Sequence, residues 1–267
     1  MIRSGPNSDV WMLDVSRGTG TRLTFGAGDS YDPVWSPDGS RIIFAFDDNS
    51  GWSLHQKLVS SAKEDEVVLR AIEPACSPTS WSPSGRFLLC ASRESKPEKA
   101  NVWVVPLDGA RKLVPFLVAE FNESQAHFSP DGNWVAYSSD ESGQPEVYVR
   151  SFSMNSSGTA VEPGAKWLIS KGSGDQPRWR GDGRELYYRS LPDGKVMAVE
   201  ISISPAFRVA PPRPVGAAIP VPSWWPGDFG SAWDSSADGK HFVAPAPLTG
   251  KPEPYTMVLN WQAGLKR

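Results

Sequence analysis

Cysteine occurs only twice in these 267 residues, at Cys76 and Cys90, which excludes a disulfide framework and a thiolate metal cluster. Histidine occurs three times, as His55, His127 and His241, without a zinc-type spacing such as His-Glu-x-x-His. No apolar run approaches the ~20 residues that a bilayer span needs. Met1 to Val10 has neither the charged start nor the apolar core of an export signal, so no export or anchoring by the sequence as written is expected. Neither sign of charge dominates, the formal net charge being -3, which argues against a nucleic-acid or membrane-surface binder. The glycine-rich loop, strand lysine and paired aspartates of a kinase are missing, and so is a Gly-x-Ser-x-Gly elbow. These absences lead to an expectation of no catalytic residue, no cofactor and no metal in this chain.

What is abundant is proline (25), glycine (24) and tryptophan (12), the composition of many turns and large aromatic packing groups. One unit recurs five times: Val34-Trp-Ser-Pro-Asp-Gly39, Trp81-Ser-Pro-Ser-Gly85, Phe128-Ser-Pro-Asp-Gly132, Trp179-Arg-Gly-Asp-Gly183 and Ser235-Ser-Ala-Asp-Gly239. The turn glycines are spaced 46, 47, 51 and 56 residues apart. Ser-Pro-Asp-Gly suits a type I turn, with proline presetting φ and glycine closing the loop. A short strand enters each turn and a strand rich in aromatic and β-branched residues leaves it; third strands follow, as at Leu54 to Val59 and Glu146 to Ser151. Four antiparallel strands per ~45 residues is the size of a propeller blade. Second strands such as Arg41 to Phe46 lack polar alternation, as strands sandwiched between blades do. The motif aromatics Trp35, Trp81, Phe128 and Trp179 are therefore expected at equivalent buried positions.

The repeated units resemble the PD40, or TolB-like, propeller repeat over nearly the whole chain. Val114-Pro-Phe-Leu117, the run Phe121 to Glu141 and the ending Met257-Val-Leu-Asn-Trp261 resemble the C-terminal extracytoplasmic propeller of bacterial membrane Ser/Thr kinases of the Hanks type. The expected fold is all-β: a propeller of four-stranded antiparallel blades, five of them motif-bearing, preceded by an N-terminal half-blade, as in a truncated six- or seven-bladed ring. The blades fall at 27–71, 72–118, 119–171, 172–217 and 218–267 of one propeller domain, after an incomplete blade at 1–26. Asp9 to Asp14 and Thr21 to Thr24 read as outer strands with no motif turn before them. They form either a half-blade beside the first unit or a ring closure onto Tyr255 to Trp261, the half-blade being favoured. The resemblance implies an extracytoplasmic location and an upstream membrane-anchored kinase.

The function expected is a non-catalytic binding or sensing module of a larger signalling protein, with a small ligand or a protein as partner and no nucleic-acid or membrane contact of its own. The alternatives are a TolB-like periplasmic interaction propeller, a glycosidase-like hydrolase, and the propeller of a prolyl-oligopeptidase-type enzyme. Binding is expected at the channel or the rim, through Asp32, Glu123, His127, Asp175 and the loop residues Trp224 and Trp225. Asp32, Glu123 and Asp175 are also the carboxylates a propeller glycosidase would use, and equally are ordinary turn and loop caps. Gly28-Asp29-Ser30 lies in the loop before a motif strand and is given no catalytic role. If the second unit pairs Trp81 with Arg86, Ser77 stands opposite Cys90 and a Cys76–Cys90 bond is geometrically poor; two buried thiols are expected.

Overall fold

The structure, a computed structural model, describes residues 2–4, 8–14, 16–48, 50–61, 63–70, 73–95, 98–109, 111–162, 164–203, 206–219, 232–246 and 256–257. The described residues form strands and turns, without a helix. The chain divides into two compact units, Met1–Val118 and Ala119–Arg267.

The first unit opens with β1 (Ile2–Ser4), β2 (Ser8–Asp14) and β3 (Thr19–Arg22), an antiparallel sheet in that order. Two four-stranded antiparallel sheets follow. One is β4 (Asp29–Trp35), β5 (Arg41–Asp47), β6 (Trp52–Leu58) and β7 (Glu66–Leu69); the other is β8 (Cys76–Trp81), β9 (Phe87–Ser95), β10 (Glu98–Pro106) and β11 (Val114–Leu117). The second unit repeats the plan with β12 (Glu123–Phe128), β13 (Trp134–Ser139), β14 (Glu146–Ser151) and β15 (Lys166–Leu168). Then come β16 (Gly174–Trp179), β17 (Glu185–Ser190), β18 (Lys195–Ser202), β19 (Arg208–Val209) and β20 (Arg213–Ala218), with β19 and β20 both on β18. Two short pairs complete the described chain: β21 (Asp234–Ser235) with β22 (Phe242–Val243), and β23 (Pro245–Ala246) with β24 (Thr256–Met257).

The motif turn explains why each sheet starts as it does. Gly39, Gly85, Gly132, Gly183 and Gly239 all have φ between +68° and +74°, the left-handed conformation that glycine adopts at no steric cost. In the first unit the Ser36 hydroxyl donates to Asp38 at 2.6 Å and accepts from the Arg41 amide at 2.9 Å. Ser129 with Asp131 and Ser236 with Asp238 repeat that pattern. Where Arg180 replaces serine, its guanidinium clamps Asp182 through two bonds of 2.7 Å, so the turn is held by a different side chain.

Inner strands are buried on both faces, as their lack of alternation implies. On β5, Ile42 and Phe44 pack with Val10 of the N-terminal sheet and with Leu23 just past its last strand, while Ile43 and Ala45 pack with Leu88 and Cys90 of the next sheet. On β17, Leu186 and Tyr188 face Ala136 and Val147, while Tyr187 faces Trp233 and Phe242. Burying a side chain of this size contributes ~1.5–3 kcal/mol, and here both faces contribute.

Two expectations are corrected. The motif aromatics are not uniformly buried: Phe128 is 7% exposed, Trp81 and Trp179 pack partly buried at sheet interfaces, and Trp35 is 49% exposed. The cluster joining the N-terminal sheet to the next one is built on Val10, Leu23, Ile42 and Phe44 and does not include Trp35. The N-terminal piece itself has a third strand, β1, paired to β2.

The cysteines are bonded, not free: Cys76 and Cys90 form a disulfide with a Cα–Cα distance of 5.6 Å, within the ordinary range. The reason is a β-bulge between Pro78 and Ser80, which places Pro78 opposite Cys90 and Cys76 opposite Ser92. An unbulged register sets Cys76 on the wrong face; the extra residue brings both sulfurs to one face.

Candidate functional site

The same bulge recurs in every motif-bearing first strand of four or more residues. It falls between Tyr31 and Val34, Pro78 and Ser80, Ser124 and His127, and Asp175 and Arg178. The residue three before the motif aromatic then takes a left-handed conformation: Asp32 (φ 48°), Gln125 (φ 55°) and Gln176 (φ 54°). Non-glycine residues hold that conformation only when their surroundings over-determine it. The surroundings are a ladder of side chains between sheets. Gln125 Oε1 accepts from the Gln176 amide at 2.9 Å, and Gln176 Oε1 accepts from the Ala232 amide at 2.7 Å, each bond linking equivalent positions of successive repeats. Asp32 plays this part in the first unit. Its equivalent in the next sheet is Pro78, which has no amide hydrogen, and the Ser77 hydroxyl hydrogen-bonds the Asp32 carboxyl instead. Burial nonetheless raises the Asp32 carboxyl above its usual range.

This makes Asp32 a link between sheets before it is a ligand. Gln125 and Gln176, which carry the same role, were not singled out from the sequence, although counting back three from each motif aromatic finds them. Gln176→Ala should leave the buried Ala232 amide unpaired and cost about 1–3 kcal/mol. A lowered thermal midpoint is the expected readout, and an unchanged one would remove the linking role.

Glu123 and His127 lie on β12 and Asp175 on β16, in the second unit, whereas Asp32 belongs to the first. Asp175 is buried but engaged by Arg189 through bonds of 2.8 and 2.5 Å. Burial, and then the neighbouring Arg178 charge, holds the His127 imidazole well below its usual pKa, so it is neutral. Its backbone carbonyl accepts from Trp179 Nε1 at 3.2 Å. Arg178, at the equivalent position one repeat later, pairs with Asp234 at 3.1 Å. Glu123 differs from these. It is 5% exposed, its Oε2 has no partner among the described residues, and burial followed by the Glu141 charge pushes its carboxyl up to about 7. Trp224 and Trp225 lie outside the described residues.

A cleft of about 890 Å³ lies elsewhere in the second unit, at the motif turns. Its walls are the turn at 129–131, the turn at 180–185, and the strand segments 200–203 and 208–210. It contains none of Glu123, His127 or Asp175. Arg180 is already committed to Asp182 and Glu185. Arg184 and Arg208 are exposed on the lining and neither makes a salt bridge among the described residues, although the Arg184 charge acts on Asp182, and Asp131, Asp182, Glu185 and Glu200 line the same cleft. Ile203 and Val209 add apolar surface beside them. The rim is stiff, because both turns are held by their own side-chain hydrogen bonds. An open, partly apolar cleft that presents two guanidinium groups free of salt bridges can hold a carboxylate on an extended segment.

No known family's sequence profile matches the chain. It is 25% identical over 181 residues to an uncharacterized peptidase of Bacillus subtilis, a match of 53% of this chain and 27% of that protein. It is 25% identical over 185 residues to an uncharacterized protein of Agrobacterium fabrum, covering 68% of this chain and 61% of that one. The chain thus spans 27% and 61% of these two curated relatives. Among solved structures, TolB from Acinetobacter baumannii matches with a TM-score of 0.61 at 16% identity, over 91% of this chain and 55% of that one. An oligogalacturonate lyase in complex with manganese matches at 0.58 and 16%, over 97% and 69%. The periplasmic gluconolactonase of Pseudomonas aeruginosa matches at 0.57 and 17%, over 94% and 77%. At these identities the likeness establishes the fold: an all-β propeller with TolB among its structural neighbours.

These matches also correct the expectation that the chain is not an enzyme. Proteins of the same fold include a lactonase and a lyase, and a curated relative is called a peptidase. The missing kinase and Gly-x-Ser-x-Gly patterns exclude two particular mechanisms, not catalysis as such.

Proposed function

We propose that the chain is a TolB-like propeller that recognises a carboxylate-bearing peptide segment of a protein partner, as the extracytoplasmic recognition part of a larger bacterial signalling protein. The observation that carries this reading is the turn-face cleft with the exposed guanidinium groups of Arg184 and Arg208, neither of them in a salt bridge among the described residues. Its open form suits an extended segment, and Arg–carboxylate pairs supply direction as well as affinity. The extracytoplasmic part of the reading is supported by the Cys76–Cys90 bond, since disulfides persist in oxidising compartments. It is further supported by the kinase-propeller resemblance of the runs 114–117 and 121–141 and of the ending 257–261. No helix among the described residues is long and apolar enough to cross a membrane. The Bacillus subtilis relative favours a second reading, in which the same cleft serves a peptidase-type protein.

Screening immobilised peptides with the full chain tests the cleft. Acidic peptides should be enriched, and Arg184→Ala with Arg208→Ala should weaken the best of them at least about tenfold, since hydrogen bonds to charged groups contribute ~1.5–3 kcal/mol. Equal binding by the double variant would overturn the assignment.

A further inference from the structure

We propose that Ser53, His55 and Asp65 form a serine-nucleophile relay in the first unit, able to cleave activated carboxylic esters. The relay is independent of the turn-face cleft, which belongs to the other unit. Ser53 and His55 are two residues apart on β6, so the strand places both on one face. Ser53 Oγ lies 3.0 Å from His55 Nε2. On the other side of the ring, His55 Nδ1 hydrogen-bonds the Asp65 carboxylate, from the loop just before β7. This is the connectivity that nucleophilic catalysis uses: a hydroxyl, a base in reach of it, and a carboxylate that orients the base.

The tautomer follows from the partners. A carboxylate can only accept, so Nδ1 carries the proton and the Nε2 lone pair faces the Ser53 hydroxyl. The hydrogen bond from His55 holds the Asp65 carboxyl below its usual range, which keeps it ionised. The ring is fixed by two aromatic neighbours, with Phe46 at 4.7 Å and Phe44 at 5.8 Å between centroids. Competing groups are engaged elsewhere: Lys57 Nζ donates to the Lys63 carbonyl at 2.7 Å, and Asp48 accepts from Ser50. The alternative acceptor for the Ser53 hydroxyl, the Phe46 carbonyl, lies farther off at 3.4 Å. The relay is reachable, with the His55 and Asp65 side chains 12% and 27% exposed and Ser53 partly so.

The reaction balances with water as the only co-reactant. Ser53 Oγ bonds to the acyl carbon as its proton passes to His55 Nε2. The ester C–O bond breaks and the leaving oxygen takes that proton. Water then attacks the acyl-serine, passing a proton through His55 to Ser53 Oγ and releasing the carboxylic acid. Aryl esters are the class that fits, because a weakly basic leaving group departs with little help from an acid.

The test treats the full chain with a fluorophosphonate probe and with p-nitrophenyl acetate. Phosphonylation is expected at Ser53, located by peptide mass spectrometry, together with ester turnover. Ser53→Ala should abolish labelling, and His55→Gln should slow both reactions by about a hundredfold or more, the usual range for a lost general base. Asp65→Asn should slow labelling while shifting its pH profile. Ser60→Ala, an exposed serine just beyond β6, should change nothing. Thermal midpoints of the variants separate loss of chemistry from loss of fold, and the wild-type label decides by itself. No label at Ser53, or unaltered labelling in folded His55→Gln, would overturn the proposal.

Discussion

Replacing Glu123 with glutamine should stabilise the protein near pH 8 and change little near pH 4. The Glu123 carboxyl is raised from an ordinary 4.5 to about 7, first by burial and then by the charge of Glu141, against a smaller opposing pull from Arg150 and Lys166. A raised carboxylate means that the folded state binds the proton more tightly than the unfolded chain does. Folding is therefore favoured while both states are protonated. Stability falls as pH rises from about 4.5 to about 7, and is level above that window. A difference of this size corresponds to about 3 kcal/mol at alkaline pH, from 1.36 kcal/mol per unit. Glutamine keeps the shape and cannot ionise, so it should flatten this part of the profile. Urea midpoints of wild type and Glu123→Gln across the window check it. Two parallel profiles would show that Glu123 does not titrate there. The orphaned Oε2 supports the same direction, since a buried ionised oxygen without a donor is the costly form.

Removing the Cys76–Cys90 bond should have an effect of similar size. The bond spans a sequence separation of 14 and closes a loop for which the chain-entropy relation gives about 3 kcal/mol. Both cysteines sit in the cluster with Ile43, Leu54, Leu88 and Val105, at 2% and 0% exposure, so replacement also alters packing. Cys76→Ala with Cys90→Ala should lower the thermal midpoint by about 6–12 °C, taking 2–4 °C per kcal/mol for a chain of this size. Calorimetry measures the shift. Thiol titration of the unfolded, unreduced protein should find no free thiol, and two titratable thiols would contradict the bond.

Much of the architecture was legible along the chain because its cause is local. Ser-Pro-Asp-Gly and its variants set a turn through glycine's left-handed conformation, with an Asp cap or proline's φ where those residues are present, and five such turns 46 to 56 residues apart mark the sheets. The strands that follow are apolar on both faces, and on β5 and β17 alternate residues are divided between two neighbouring clusters. The site was less legible. Glu123 and Asp175 are both acids at the start of an inner strand, yet one is orphaned and raised while the other is clamped by Arg189. Nothing at either position in the sequence separates them, because the difference is made by residues one or more strands away.

By itself, then, the amino-acid sequence determined the turn positions, the strand order within each sheet and the two-sided burial, since each depends on residues a few positions apart. Only the tertiary structure decided the pairings across strands and sheets. One bulged residue between Pro78 and Ser80 turned two expected thiols into a disulfide. Left-handed Gln125 and Gln176 became links between successive sheets. Trp35 stayed half exposed, outside the cluster that joins its sheet to the N-terminal one. Ser53 and His55 met an aspartate ten residues further on, from the loop before the neighbouring strand. Each of these depends on register, and register is set by how faces pack, which spacing along a single strand does not encode.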